Sequence, residues 1–121
     1  MARHNTIGVQ GEALACSFFT EKGYIIHYRN WRYSHYEIDI IAQNNDVLHF
    51  IEVKTRTSSL WGQPEEAVTR KKIHHLLEAG REFLYQNPQW KKIQFDVLSI
   101  QLFKNRPPEF FLIEDVYLHD E

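Results

Sequence analysis

Residues 47–55 of the chain read VLHFIEVKT, and the fold class is easiest to predict from this stretch. From residue 47 to residue 53 apolar side chains occupy both alternating faces, a pattern typical of a strand that helices cover on both sides of its sheet. The charged residues Glu52 and Lys54 interrupt that pattern near its end. The stretch therefore predicts a central strand of an α/β sandwich, in which the two charges need a chemical explanation.

Further helices and strands are predicted on either side of this stretch. A first helix is predicted over residues 6–22, where apolar residues recur at helical spacing and Gly23 follows. A second helix is predicted from Pro64, after a polar loop at residues 57–63, to about Tyr85. Its apolar stripe comprises Ile73, Leu76, Leu77, Gly80, Phe83 and Leu84. The predicted strands are residues 24–32, 37–43, 47–55, 93–103 and 110–117.

The element order αβββαββ predicts the architecture. We expect an α/β sandwich with a central mixed β-sheet flanked by helices, formed as a single domain by residues 1–121. A chain of this length with 43% hydrophobic residues can bury one core. The single cysteine, Cys16, excludes an intramolecular disulfide, and its apolar neighbours predict a small buried side chain.

Charge and hydropathy narrow the class of function. A formal net charge of −2 gives no general attraction to polyanions, so nucleic-acid binding would depend on local basic clusters. No apolar run approaches the ~18 residues of a membrane span, and residues 1–6 lack the apolar segment of a secretion signal. We therefore expect a cytoplasmic protein that does not bind membranes.

Two pairs of charged residues have the spacing of a common site. Glu52 and Lys54 are two residues apart on one predicted strand and so share a face. Glu37 and Asp39 share a face of the strand before in the same way. A tight turn centred on residues 45–46 would place Asp39 opposite Glu52. In that register Glu37 would lie opposite Lys54, whereas a turn shifted by one residue would move both pairings by two positions.

Two carboxylates that face each other across a largely apolar hairpin repel unless a cation lies between them. Oxygen ligands without a nearby cysteine or suitably spaced histidines favour Mg²⁺ or Mn²⁺ over zinc. Lys54 beside such an ion could orient a water or neutralise charge that develops on phosphorus, with Glu37 as an additional catalytic group. These parts fit hydrolysis of a phosphodiester. The alternative is a surface hairpin that carries an ordinary Glu-Lys pair.

Three segments of the chain resemble the signature of the YraN-like family of small bacterial proteins. They are EIDII at residues 37–41, FIEVKTR at residues 50–56 and FDV at residues 95–97. That family is assigned to the restriction-endonuclease-like, PD-(D/E)XK superfamily and is similar to archaeal Holliday junction resolvases. The resemblance implies the corresponding αβββαββ fold and a nuclease activity, with branched or otherwise structured DNA as the substrate.

The resemblance also implies roles for individual residues. Asp39 and Glu52 match the acidic metal ligands of the superfamily, and the carbonyl of Val53 would complete the protein ligation. Lys54 matches the superfamily lysine. Glu12 matches a further acidic residue of resolvase-like members, while an ordinary solvated glutamate is the alternative for that position.

Two residues depart from the family pattern. Tyr36 stands where a glycine usually precedes the Glu-Ile-Asp motif, and Gln94 stands where an arginine is usual. The tyrosine bears on how closely a substrate can approach this strand. The glutamine removes a potential phosphate or carboxylate contact.

Basic residues near the predicted site are candidate contacts for nucleic acid. Lys72, early in the second helix, matches a lysine of the family and could bind a phosphate. Arg32 and Arg56, together with Trp31, would suit a groove that follows a nucleic-acid backbone and stacks bases. Packing of Trp31 against the sheet edge is the alternative. The loop at residues 57–63 either gates substrate or only connects two elements.

The sequence therefore predicts a Mg²⁺- or Mn²⁺-dependent endonuclease that hydrolyses phosphodiester bonds in structured or branched DNA. One alternative is a catalytically weak nucleic-acid-binding accessory domain in DNA repair or recombination, which the acidic net charge favours. Another is a protein-interaction module in which the carboxylates are structural. If the analogy to resolvases holds, paired cuts need two sites, so we expect a homodimer, with residues 110–117 as one candidate interface.

Overall fold

The computed structural model describes residues 3–57 and 69–116, with side chains from residue 7 onward. Within these residues two helices and five strands follow the predicted order αβββαββ. They are α1 (Arg3–Glu21), β1 (Ile25–Tyr33), β2 (Tyr36–Asn44), β3 (Val47–Arg56), α2 (Arg70–Gln86), β4 (Lys92–Gln101) and β5 (Glu109–Ile113). Neither helix of this part of the chain is long and apolar enough to cross a membrane. The α/β prediction is confirmed, whereas the assignment of residues 1–121 to one domain stays a prediction.

The described strands form one mixed sheet in the order β1-β2-β3-β4-β5. Neighbouring strands are antiparallel except β3 and β4, which are parallel. A parallel pair needs a crossover connection, and α2 lies in the connection between β3 and β4. The predicted central mixed sheet flanked by helices is therefore confirmed, with β3 in its middle.

The sheet is covered by α1 on one face and by α2 on the other. The α1-side core includes Ala15, Phe19, Ile40, Ile51, Leu98 and Ile100. The α2-side core includes Ile38, Ile41, Phe50, Leu76, Phe83 and Val97. Strand β3 supplies both, since Phe50 belongs to the α2 side and Ile51 to the α1 side, which confirms the strand covered on both faces. Cys16 packs half-buried against the α1-side core, and burial raises the pKa of its thiol.

The second helix begins later than predicted. Thr69 has an extended backbone, and its hydroxyl accepts a hydrogen bond from the backbone N–H of Lys72. It therefore caps a helix that starts at Arg70. A continuous helix from Pro64 is wrong for this reason, and residues 58–68, with Pro64 and the rest of the predicted loop, lie outside the described residues.

Two further details differ from the prediction. Ala79 belongs to the buried face of α2, although the predicted stripe omitted it. Strand β5 ends at Ile113, while Tyr117, its predicted end, lies outside the described residues. The chain turns away from the sheet at Asp115, which has a positive φ of 57° and donates its N–H to Asp96 at 2.9 Å.

A buried carboxylate joins β3, β4 and the segment after β5. Asp96 is fully buried, and His49 Nδ1 lies 2.7 Å from its Oδ2. The Gln94 amide and the Asp115 N–H donate to its other oxygen at 3.0 and 2.9 Å. Gln94 also donates to Glu114 at 3.4 Å, so the expectation that this glutamine removes a carboxylate contact is wrong. Donors on both oxygens compensate the burial of the charge.

Replacing Asp96 by alanine is expected to lower the free energy of unfolding by about 3 kcal/mol, because it leaves the donors of His49 and Gln94 without their acceptor. Urea denaturation measures the loss. Asp46→Ala is the matched control, since Asp46 is exposed and pairs with Lys92 at 2.8 Å, and it should have a much smaller effect. Equal losses in the two variants would contradict a stabilising role for the buried carboxylate.

Candidate functional site

The β2–β3 hairpin sets the geometry of the predicted site. It turns at residues 45–46, as predicted, and its ladder of paired residues ends at Ile40 and Ile51. In the same register the next two residues are Asp39 and Glu52. They do not form the regular cross-strand pair that was predicted, because the ladder ends one step before them.

The Asp39 carboxylate lies where the ladder ends. Its Oδ2 accepts a hydrogen bond from the backbone N–H of Val53 at 2.8 Å. This contact ties β2 to β3 beyond their last regular pair. A charged side chain is thereby fixed between two strands instead of projecting freely from one of them.

The alternation of side chains along β2 is interrupted at Asp39. Residues two apart on a regular strand share a face, yet Ile38 belongs to the α2-side core and Ile40 to the α1-side core. On β1, Asn30 lies between the partners of these two isoleucines and has a positive φ of 55°. Both strands are therefore irregular at the same level of the sheet, and Asp39 lies on the side of α1.

A cavity of about 460 Å³, called here the Asp39 cavity, opens between α1 and the end of β3. Its lining includes five predicted site residues, which are Glu12, Asp39, Val53, Lys54 and Arg56. The Asn30 amide donates to the Glu12 carboxylate at 2.9 Å. The structure thus brings a residue of α1 and residues of two strands to one opening.

Helix α1 approaches β3 closely at Gly11. A side chain at this position would collide with Thr55, so glycine is required for the approach. Gly8, one turn earlier, has open space around it instead. Because Glu12 follows Gly11 directly, this close packing sets how near the glutamate comes to the Asp39 cavity.

Burial raises the pKa of Asp39 from 3.8 to about 7, although the hydrogen bond from Val53 acts in the opposite direction. The negative charges of Glu52, Glu37 and Glu12 raise that pKa as well. A partly buried carboxylate with three acidic neighbours is poorly stabilised as an anion. A bound cation would relieve this condition.

Glu52 lies on the other side of the sheet. Its carboxylate is 4.0 Å from the Lys54 ammonium, and it lines a cavity of about 520 Å³ together with Lys72, called here the Glu52 cavity. Burial and the adjacent Lys54 ammonium lower the pKa of Lys72 to about 8, against the opposing charge of Glu52. Asp39 and Glu52 therefore border different cavities. Lys54 connects the two cavities, because it lines the Asp39 cavity and its ammonium lies 4.0 Å from Glu52 of the Glu52 cavity.

The other predicted residues lie at the margin of the site. Glu37 pairs with Arg32 across β1 and β2, with an ion pair of 3.3 Å between exposed groups. The predicted pairing of Glu37 with Lys54 is wrong, because Glu37 lies beyond the end of the β2–β3 ladder. Trp31 is half-buried with its ring 5.4 Å from that of Phe83, so the packing alternative is confirmed for this tryptophan.

Two residues of this region had no role in the predicted site. Asn30 donates a hydrogen bond to Glu12, and Gly11 allows α1 to approach β3 closely. Each had a signal in the sequence, since asparagine inside a stretch of strand-forming residues suggests a positive φ and glycine inside a helix suggests close packing. Neither signal indicates which residue lies on the other side of the contact.

Fold and site together define an α/β protein in which acidic and basic side chains gather beside the end of the central strand of a mixed sheet. The chain belongs to the uncharacterised protein family UPF0102, which matches residues 11–100 and confirms the YraN-like assignment. A UPF0102 protein of Flavobacterium psychrophilum is 40% identical over 121 residues, covering 98% of this chain and 99% of that protein. A UPF0102 protein of Bacteroides thetaiotaomicron is 39% identical over 100 residues, 83% of each chain. One of Rhodococcus opacus is 36% identical over 118 residues, 97% of this chain and 100% of that protein.

The raised pKa of Asp39 predicts a pH-dependent cost of folding. Because the folded chain disfavours the ionised carboxyl, this cost is absent well below pH 3.8 and complete above about pH 7. In the metal-free protein Asp39→Asn should raise the free energy of unfolding at pH 8, by at most roughly 4 kcal/mol before solvent screening, and change it little near pH 4. Urea denaturation in EDTA at both pH values measures the difference.

Asp46→Asn is the control for this experiment. A hydrogen bond and the charge of Lys92 lower the pKa of Asp46, so removal of that carboxylate should not stabilise the chain at pH 8. If Asp39→Asn stabilised the chain equally at pH 4 and pH 8, the burial of an ionisable carboxyl would not be the cause.

Proposed function

We propose that the chain is a divalent-metal-dependent, endonuclease-like enzyme that hydrolyses phosphodiester bonds in nucleic acid, with structured or branched DNA as its substrate. The observation that carries this proposal is the partly buried Asp39 carboxylate, which the Val53 N–H holds and whose pKa the charges of three glutamates raise further. Such a group is unfavourable as an anion unless a cation neutralises it. Lys54 lines the same cavity and adds a cationic group where a phosphate would bind.

The proposed ion is Mg²⁺ or Mn²⁺, since the available ligands are oxygen atoms. We assign its ligation to Asp39, Glu52 and the carbonyl of Val53. Continuation of the hairpin register would place Glu52 opposite Asp39, but the Glu52 side chain borders its own cavity. Its carboxylate would therefore have to turn toward Asp39 when the ion binds. A bound ion at this place supplies positive charge for the phosphate and lowers the pKa of a water.

Side chains of the chain itself would position the substrate. The Lys54 ammonium lies 4.0 Å from the Glu52 carboxylate. Beside the proposed ion it would donate to a water or to a phosphate oxygen. Arg56 lines the Asp39 cavity and Lys72 the Glu52 cavity, so the two would bind backbone phosphates on either side of the scissile one. Glu12 would hold a water or share the cation on the side of α1.

Arg32 and Glu37 would act from the margin of the site. Their ion pair lies on the exposed β1–β2 hairpin, where solvent weakens such pairs. Arg32 would bind a more distant phosphate when the pair opens. Glu37 would assist through its charge, which already acts on Asp39.

A relation to known nucleases is part of the proposal. The αβββαββ order, with an aspartate on β2 and Glu-x-Lys on β3, supports similarity to the restriction-endonuclease-like superfamily and to archaeal Holliday junction resolvases. We place the activity in the cytoplasm with its DNA substrate. Paired cuts at a four-way junction need two sites, so we propose a homodimer. The edge strand β5, where Phe111 is 41% exposed, is the proposed interface.

A catalytically weak accessory domain that binds nucleic acid in repair or recombination is the second candidate. One observation favours it: Asp39 and Glu52 border different cavities. In addition, no three Asp, Glu, His or Cys residues of residues 3–57 and 69–116 are grouped so as to hold a metal ion. A domain of this kind would bind DNA and cut it little.

Cleavage of labelled duplex and four-way-junction DNA separates the two candidates. We expect the protein to cut the junction with Mg²⁺ or Mn²⁺ and not with EDTA. Asp39→Asn and Lys54→Met should each lower the cleavage rate by at least about 100-fold, because each removes a group that stabilises developing charge. Gel electrophoresis of the labelled strands gives the rates.

Lys104→Met is the matched control for the lysine substitution. Lys104 is exposed in the connection between β4 and β5, so its removal should leave the rate unchanged. Cutting that survives both site substitutions would contradict the assignment of the site. Binding without cutting under every metal condition would favour the accessory domain.

A further inference from the structure

Asn30 has a backbone conformation that strands rarely contain. Its φ is 55°, inside β1. This left-handed region is costly for residues other than glycine, although asparagine tolerates it better than most. Strained positions of this kind persist where the surrounding structure fixes them, and they cluster at functional sites. Asn30 lies beside the point of β2, between Ile38 and Ile40, at which the side-chain alternation is interrupted.

The sheet register places Asn30 next to Asp39 on the neighbouring strand. The β1–β2 pairs on either side of this level are Arg29 with Ile40 and Trp31 with Ile38. Between these pairs lie Asn30 and Asp39, which occupy opposite positions of the two strands without a regular pair of their own. The one strained residue of β1 among those described therefore lies beside the carboxylate that carries the proposed function.

The side chain of Asn30 contacts α1. Its Nδ2 donates to the Glu12 carboxylate at 2.9 Å, and Glu12 lines the Asp39 cavity. The adjacent Gly11 packs the helix backbone against Thr55. Gly11 thus sets how near the helix comes to β3, and Asn30 sets where the Glu12 carboxylate lies.

We propose that Asn30 is a positioning residue, which holds the Glu12 carboxylate beside Asp39 so that the two groups bind one divalent cation. This inference rests on the proposed metal-dependent function. Without the amide, the half-buried Glu12 carboxylate loses the hydrogen bond that ties it to β1. Residues that orient a metal ligand typically change metal affinity about 10- to 100-fold when they are removed.

Calorimetric titration of the full chain with Mn²⁺ tests the inference in wild type, Asn30→Gly, Glu12→Gln and the double variant. Glycine removes the amide and adopts a positive φ readily, so the backbone conformation of this position can be kept. We expect Asn30→Gly to weaken Mn²⁺ binding about tenfold in the wild-type chain. With Glu12→Gln already present the further loss should be less than about twofold, because the residue acts through Glu12.

Asn45→Gly is the matched control. Asn45 also has a positive φ, of 58°, and is exposed in the β2–β3 turn at the far end of the hairpin. Its substitution should leave Mn²⁺ affinity unchanged. Urea denaturation in EDTA accompanies the titrations, and Asn30→Gly should unfold at a urea concentration close to that of wild type, because the exposed amide contributes little to folding.

The outcomes distinguish the positioning role of Asn30 from the proposed metal site at Asp39. An equal loss with and without Glu12→Gln, or no loss at all, would overturn the role of Asn30 while leaving metal binding at Asp39 intact. A loss of Mn²⁺ affinity that comes with a matching loss of urea resistance would assign Asn30 to folding and overturn its positioning role. Absence of Mn²⁺ binding in the wild type, or binding that Asp39→Asn does not affect, would overturn the proposed metal site and the role of Asn30 with it.

Discussion

The hydrogen bond from the Val53 N–H to the Asp39 carboxylate is the contact on which the site depends. It joins β2 to β3 after their regular ladder has ended, and so fixes a charged group at the margin of the core. Water cannot fully solvate the carboxylate there, which is why its pKa rises to about 7. The part of β3 just before this contact, residues 48–51, is buried, so packing on both faces of the sheet fixes the strand there.

The two helices bring different chemistry to the end of β3. Helix α1 contributes Glu12, an acid, to the Asp39 cavity, whereas α2 contributes Lys72, a base, to the Glu52 cavity. Lys54 connects the two sides. Each cavity is lined by both acidic and basic side chains. Such a lining suits a ligand that combines a cation with phosphate groups, and this combination is the physical basis for proposing a metal-dependent phosphodiesterase.

Local patterns in the sequence predicted the strand covered on both faces and the turn at residues 45–46, because both depend on a few neighbouring side chains. The interrupted alternation of side chains at Asp39 was not predictable in this way. It coincides with the left-handed backbone of Asn30 on another strand, which no alternation pattern reports. The buried pair of His49 and Asp96, separated by 47 residues, forms only because the crossover places β4 beside β3.

Crystals soaked in Mn²⁺ and measured at its absorption edge test most directly whether the Asp39 and Glu52 carboxylates bind one cation. The proposed site predicts an anomalous peak between Asp39 and Glu52, with ligand distances of about 2.0 to 2.2 Å that include the Val53 carbonyl oxygen. Soaked crystals with no peak at this place, or with Mn²⁺ bound only elsewhere, would contradict it.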